Sequence, residues 1–170
     1  MNLKYLSPIF AAGAIAVGAT SVLGESTVNQ EQKIFCESNN GIPTTVAMVQ
    51  GETKPIFHWR SDALPQSANP QELCQNVSAK LESYPTQENQ LSFGSHDQGG
   101  LPAICAEATP GKCNLVLFTL APAENPIEEG NRVLEAILDS NLQRDKQIST
   151  ARGVQSISYP VTFWQLLGFR

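Results

Sequence analysis

Four cysteines, all downstream of an apolar N-terminal segment, constrain the fold of this 170-residue chain more than any other feature. Residues 1–24 carry one charge, at Lys4, followed by a run rich in Ala, Gly, Ile, Val and Leu, which is typical of a secretory signal peptide. Exported chains enter an oxidising compartment, where cysteines pair as disulfides. The sequence therefore predicts two disulfides and no free thiol. A retained membrane anchor is the alternative for residues 1–24, but Ala and Gly dilute its apolar character.

The positions of the cysteines favour one of the three possible pairings. Cys105 and Cys113 flank Thr109-Pro110-Gly111, a turn sequence, so a hairpin would bring the two cysteines opposite each other. Cys36 would then pair with Cys74 and join a strand to a helix. A zinc site is the competing interpretation, but the chain has no Cys-x-x-Cys spacing and only two histidines. We predict no metal and no cofactor.

Composition indicates a single turn-rich domain. Charged residues make up 16% of the chain, and it contains 12 Gly and 11 Pro, which suits a turn-rich secreted domain better than a helical bundle or a disordered tail. The net charge of −5 argues against a nucleic-acid partner, because phosphate would repel the protein. We expect a flexible start at residues 25–31, one domain at residues 32–152, and an apolar C-terminal segment at residues 153–170.

Local patterns predict an antiparallel sheet of about six strands with two helices. Each helix begins at an Asn-Pro pair, Asn69-Pro70 or Asn125-Pro126, in which Asn caps the free amides and Pro occupies the first helical position. Three predicted strands precede each helix, which suggests a βββα pseudo-repeat, although both halves could share common turn and cap chemistry by chance. The continuously apolar run Leu115–Leu120 predicts a central strand buried on both faces. The other predicted strands are Lys33–Cys36, Thr44–Gln50, Pro55–Trp59, Leu91–Gly94 and Leu101–Ala106.

No recognised catalytic motif is present. The chain lacks Gly-x-Ser-x-Gly, His-Glu-x-x-His, a phosphate-binding loop and a dinucleotide-binding glycine pattern. Alternation along the third strand predicts Phe57 and Trp59 in the core and His58 and Arg60 at the surface, where the two basic residues could contact a partner. The pair His96-Asp97 is predicted to lie in a solvated turn.

The C-terminal segment concentrates large apolar residues. Among them Phe163 and Trp164 are candidate surface contacts. Packing of this segment on the domain is the favoured interpretation, because it lacks the Lys/Arg face of a lipid-seeking helix. Contact with a partner or a membrane surface is the alternative, since exposed apolar clusters mark contact sites.

The chain contains an ordered set of short motifs between about Ile34 and Leu138, and the set includes all four cysteines. The motifs are Ile34-Phe-Cys36, Gly41–Ala47, Pro55–Trp59, Pro70–Ser78, Gly100–Cys105, Cys113–Leu120 and Asn125-Pro126. This ordered set resembles the circadian oscillating protein family of cyanobacteria. The resemblance implies a secreted or envelope-associated protein, and that family carries over no catalytic residues.

These observations predict an exported, envelope-associated or secreted module without enzymatic activity. Its expected partner is a protein, a glycan or another envelope component, with peripheral membrane contact through the C-terminal segment as a further option. The alternative is a small secreted hydrolase-like enzyme whose site is assembled from loops near His58 or His96.

Overall fold

A computed structural model describes residues 33–49, 51–84, 90–151 and 154–162. The predictions for the signal peptide, the flexible start, Phe163 and Trp164 lie outside these residues. Within the described part, no helix is both long and apolar enough to cross a membrane.

The described residues form two helices and eight strands arranged in two antiparallel sheets. One sheet has three strands in the order β1-β2-β3, and the other has five in the order β6-β5-β4-β8-β7. The α+β class, the antiparallel pairing and the two helices are confirmed, but the strands divide into two sheets instead of one. The elements are β1 Lys33–Asn39, β2 Ile42–Val49, β3 Glu52–His58, α1 Pro70–Ser83, β4 Gln90–Gln98, β5 Leu101–Glu107, β6 Leu115–Thr119, α2 Pro126–Ile137, β7 Gln147–Ala151 and β8 Val154–Thr162.

The elements follow the order βββα, βββα and then a two-stranded hairpin. We call β1–β3 with α1 the first unit and β4–β6 with α2 the second unit. α1 packs on β1 and β2, and α2 packs on β4 and β5, so each helix covers strands of its own unit. The hairpin β7–β8 has no counterpart in the first unit. It extends the second sheet because β8 pairs with β4. The predicted repeat is therefore visible in the order of elements, with this hairpin added.

The strand β6 lies at the edge of the five-stranded sheet, so the prediction of a central strand at Leu115–Leu120 is wrong. Leu117 and Phe118 are buried, whereas Thr119 is exposed. α1 lies against this edge, and the Lys80 ammonium donates hydrogen bonds to the carbonyl oxygens of Val116 (3.0 Å) and Leu117 (2.7 Å). The apolar run Leu115–Leu120 is thus explained by a helix that lies against the strand, and not by a neighbouring strand on both of its edges.

One hydrophobic core joins the two sheets. Phe57 and Trp59 of the first unit are buried, as alternation predicted. The Phe57 ring lies 4.7 Å from that of Phe93 on β4, and the Trp59 ring lies 5.5 Å from that of Phe118 on β6, measured between centroids. A β-bridge between Phe57 and Leu138 adds a main-chain link between β3 and the end of α2. The two units therefore share their core.

The two helix starts differ in their caps. The Asn69 side-chain oxygen accepts hydrogen bonds from the amides of Gln71 (3.1 Å) and Glu72 (3.3 Å). The Asn125 side chain makes no capping hydrogen bond, although α2 begins at Pro126 as predicted. The α2 helix ends at Ile137.

Replacing the two cap residues should therefore have different effects. We expect Asn69→Ala to lower the free energy of unfolding by about 1 kcal/mol, because two helix amides lose their acceptor. Asn125→Ala should change it by less than about 0.5 kcal/mol, since no cap bond is lost. Urea unfolding followed by far-ultraviolet circular dichroism measures both. Equal losses for the two variants would contradict this prediction.

Candidate functional site

A histidine–carboxylate pair, of which the carboxylate is buried, lies on the face of the five-stranded sheet opposite α2. The α2 helix approaches Ser95 of β4, and alternation along the strand directs the next residue, His96, to the other face. There the Nε2 atom of His96 lies 2.6 Å from Oε1 of Glu107, the last residue of β5. The Glu107 side chain is 1% exposed and that of His96 is 20% exposed. The His96 ring is therefore partly exposed to solvent, and the carboxylate that contacts it is buried.

Gly94 makes this contact possible. Glu107 pairs in register with Ser92, and His96 pairs with Ala103, so the two side chains must meet over the residues between them. Gly94 lies midway on β4, and a Cβ atom there would come within 2.2 Å of Glu107 Oε1. The Glu107 carboxylate thus occupies the space that any other residue at position 94 would fill.

A loop closed by a disulfide supplies the second hydrogen-bond partner of the Glu107 carboxylate. The amide of Gly111 donates to Glu107 Oε2 (3.0 Å) and lies 3.1 Å from the Ser158 hydroxyl oxygen on β8. Gly111 has a φ of +82°, a value that favours glycine. The bond between Cys105 and Cys113 closes this loop, as the turn between them predicted. Both oxygens of Glu107 therefore have partners, as a buried carboxylate requires.

The prediction of a solvated turn at His96-Asp97 is wrong, because both residues belong to β4. The strand continues through Gly94, which resembled a strand end in the sequence. Only Asp97 serves the following turn: its Oδ1 atom accepts a hydrogen bond from the Gly100 amide at 2.7 Å.

A second histidine–carboxylate pair ties β3 to the end of α2. His58 Nε2 lies 2.9 Å from Asp139 Oδ2, and the Asp139 amide donates to the Ile56 carbonyl at 2.9 Å. Arg60 lies 3.5 Å from Asp62, and both side chains are exposed. Each member of the predicted basic pair, His58 and Arg60, thus has its own acidic neighbour. The two histidines of the chain lie on different sheets.

The Glu107 carboxylate holds the His96 imidazole in one orientation, which is the arrangement that acid–base chemistry by a histidine requires. A carboxylate on one ring nitrogen fixes the tautomer and the ring orientation, as in catalytic dyads and triads. Among the described residues, no serine, threonine or lysine side chain forms a hydrogen bond with His96, whose ring contacts Glu107. The same part of the chain contains no group of three His, Cys, Asp or Glu residues that could hold a metal ion.

A groove of about 720 Å³ runs beside α2, and we call it the α2 groove. Carboxylates of Asp97, Glu124, Glu128 and Glu135 contribute to its lining together with one cation, Arg132. Arg132 is engaged by Glu129, since its Nη2 atom lies 2.6 Å from Glu129 Oε1, and this contact lowers the pKa of the Glu129 carboxyl. The remaining lining residues are Asn125, Pro126, Ile127, Asn131 and Ile157.

Tyr159 of β8 connects the core to this groove. Its hydroxyl donates a hydrogen bond to Glu135 Oε1, and burial, together with this acceptor, raises the pKa of the Tyr159 phenol well above its usual value of 10.0. The folded protein therefore holds this proton more tightly than the unfolded chain does.

Stability should consequently fall at alkaline pH through Tyr159. Above about pH 10 the unfolded chain releases the phenolic proton first, so unfolding becomes easier as the pH rises, by about 1 kcal/mol per pH unit. Tyr159→Phe should remove this contribution, whereas Tyr84→Phe should retain it. Urea unfolding between pH 8 and pH 11 measures the slope. An unchanged slope in Tyr159→Phe would refute the assignment.

Sequence reasoning did not identify the buried pair. Glu107 was one of 16 acidic residues without a distinguishing pattern. The available signal was Gly94 inside an otherwise regular strand, because a glycine there marks a close approach. The α2 groove was also missed, since its carboxylates come from different elements.

Comparison with known proteins places the chain in a family. The model of the family described as circadian oscillating protein COP23 matches residues 33–165. No curated protein and no solved structure matches the chain. The matched range includes all four cysteines, both sheets and the His96–Glu107 pair. The chain belongs to the circadian oscillating protein COP23 family.

Proposed function

We propose that this protein is an exported, envelope-associated or secreted module that binds a protein, a glycan or a membrane surface and catalyses no reaction. The observation that carries this proposal is the pairing of all four cysteines. Cys36 bonds to Cys74 and Cys105 bonds to Cys113, with Cα–Cα distances of 5.5 and 5.3 Å. Such bonds persist in oxidising compartments, which supports export.

The same bonds support the non-enzymatic part of the proposal. Cysteine catalysis needs a thiolate, and every cysteine here belongs to the scaffold. The α2 groove instead offers carboxylates, two side-chain amides and two isoleucine side chains on an open surface, a lining suited to binding. These features support a binding role.

Cell fractionation tests the export part of the proposal. We expect the full chain in the periplasmic, envelope or medium fraction, with thiols that react with a maleimide reagent only after reduction. A variant that lacks residues 2–24 should remain in the cytoplasm with reactive thiols. Recovery of the full chain in the cytoplasm with four reactive cysteines would overturn the proposal.

Binding assays test the other part. The oxidised protein is mixed separately with anionic lipid vesicles, with isolated envelope polysaccharide and with solubilised envelope proteins, and we expect saturable binding to at least one. A matched sample with both disulfides reduced should bind more weakly, because its surface is less well ordered. No saturable binding to any of the three preparations would refute a binding role.

A small secreted hydrolase-like enzyme centred on His96 is the second candidate, and the contact between His96 and buried Glu107 favours it. A panel of chromogenic ester, glycoside and peptide substrates tests this function. Turnover that is lost in a folded His96→Gln variant and retained in His58→Gln would establish the enzyme and overturn the non-enzymatic proposal.

A further inference from the structure

We propose that the outer edge of β7, together with the α2 groove, binds an extended basic peptide segment of a partner protein by strand addition. This inference rests on the protein-binding form of the proposed function. Three features carry it: an unguarded strand edge, an exposed isoleucine beside that edge, and the charge of the groove.

The other three sheet edges are each guarded. On β1, the amide of Ile34 donates to the carboxylate of Glu82 on α1. On β3, a proline lies within the strand at Pro55, and the Ile56 carbonyl accepts the amide of Asp139. On β6, the Lys80 ammonium donates hydrogen bonds to two main-chain carbonyl oxygens. Such devices prevent unwanted strand pairing at sheet edges.

The edge at β7 has none of these devices in the part of the chain that the structure describes. Its sequence, Gln-Ile-Ser-Thr-Ala, contains no charge and no proline, and its pairing with β8 runs through five residues without a bulge. In an antiparallel ladder, alternate residues of an edge strand direct their N–H and C=O groups outward. β7 is therefore a regular template on which another strand can pair.

An apolar contact lies next to this edge. Ile148 is 60% exposed, the only large hydrophobic residue so exposed among those described. It pairs across the ladder with Ile157 of β8, and Ile157 lines the α2 groove. Cross-strand partners project to the same face of a sheet. A strand added to β7 could thus place an apolar side chain on Ile148, at the margin of the groove.

The negative charge of the α2 groove favours a peptide that carries basic residues. Its four carboxylates face a single cation, and Glu129 already engages that cation. Lys146, the residue before β7, has its ammonium 3.8 Å from Glu135 Oε1. A lysine at this edge therefore reaches the groove, and a basic residue of a neighbouring strand has the same carboxylates within range. A second copy of the chain fits less well, because each copy carries a net charge of −5.

Peptide binding tests the inference. The probe is a fluorescein-labelled peptide of roughly nine residues that alternates valine and lysine, titrated with the oxidised protein and followed by fluorescence anisotropy. We expect saturable binding of this peptide. We expect no binding of the valine–glutamate analogue, nor of a valine–lysine analogue with N-methylated alternate amides, which cannot complete the ladder.

Variants of the protein separate the contributions. Ile148→Ser should weaken binding about fivefold. Glu124→Gln with Glu128→Gln should weaken it about threefold or more, whereas Glu37→Gln with Glu52→Gln, an equal change of charge on the three-stranded sheet, should change it less than about twofold. All of these side chains are at least partly exposed, so the fold should be retained, which circular dichroism checks.

Several results would overturn the inference. They are equal weakening by the two charge variants, full binding by Ile148→Ser, binding of the N-methylated peptide, and a protein dimer that Ile148→Ser dissociates. Failure of the valine–lysine peptide to bind would also reject this edge as a docking site. The proposed function would be judged separately, by fractionation and by the envelope binding assays.

Discussion

Replacement of Cys36 and Cys74 by alanine should lower the free energy of unfolding by roughly 4 kcal/mol. This bond closes a loop across a 38-residue separation and joins β1 to α1, so its loss enlarges the unfolded ensemble considerably. The Cys74 side chain is also fully buried between the helix and the sheet. Urea unfolding of the oxidised protein and of the double variant measures the difference.

The second disulfide is the matched control. Cys105 and Cys113 are separated by 8 residues, so the chain-entropy argument assigns their bond roughly 2.5 kcal/mol. Their replacement by alanine should therefore cost less than loss of the long-range bond, although Cys105 is as deeply buried as Cys74. The opposite order would show that local contacts, and not loop length, determine what these bonds contribute.

Gly94→Ala should lower the free energy of unfolding by about 3 kcal/mol. The new Cβ would approach Glu107 Oε1 to 2.2 Å, so the strand or the carboxylate must move. A displaced Glu107 loses its contacts with His96 and the Gly111 amide, and a buried carboxylate without partners is costly. Urea unfolding measures the change.

A double-mutant cycle tests the cause. In a Glu107→Ala background the clashing carboxylate is absent, so Gly94→Ala should cost less than about 1 kcal/mol there. An equal cost in both backgrounds would mean that position 94 needs glycine for a reason other than room for Glu107.

The parts of the fold that sequence reasoning predicted are those with local causes. Asn69 and Pro70 predicted the start of α1 because cap chemistry acts within one helical turn. The turn between Cys105 and Cys113 predicted their pairing because only a few residues separate them. The alternation that placed Phe57 and Trp59 in the core also acts within one strand.

The errors concern contacts between distant residues. An apolar run such as Leu115–Leu120 has the same pattern whether strands or a helix cover it, so its place at the edge of the sheet was not predictable. The strand β7, and with it the hairpin to β8, was not predicted, since β7 has too few apolar residues to show a period.

The sequence alone determined the α+β class, the helix starts and the family resemblance, because short motifs carry each of these, and it favoured one of the three possible disulfide pairings. Only the tertiary structure decided that the strands form two sheets over one core. It also decided that Glu107 extends over Gly94 to His96, and that no described residue guards the edge of β7. These features depend on which strands pair and in what register, and that choice is made by the packing of the whole chain. The disulfide framework predicted from four cysteines thus holds a site whose residues only strand pairing brings together.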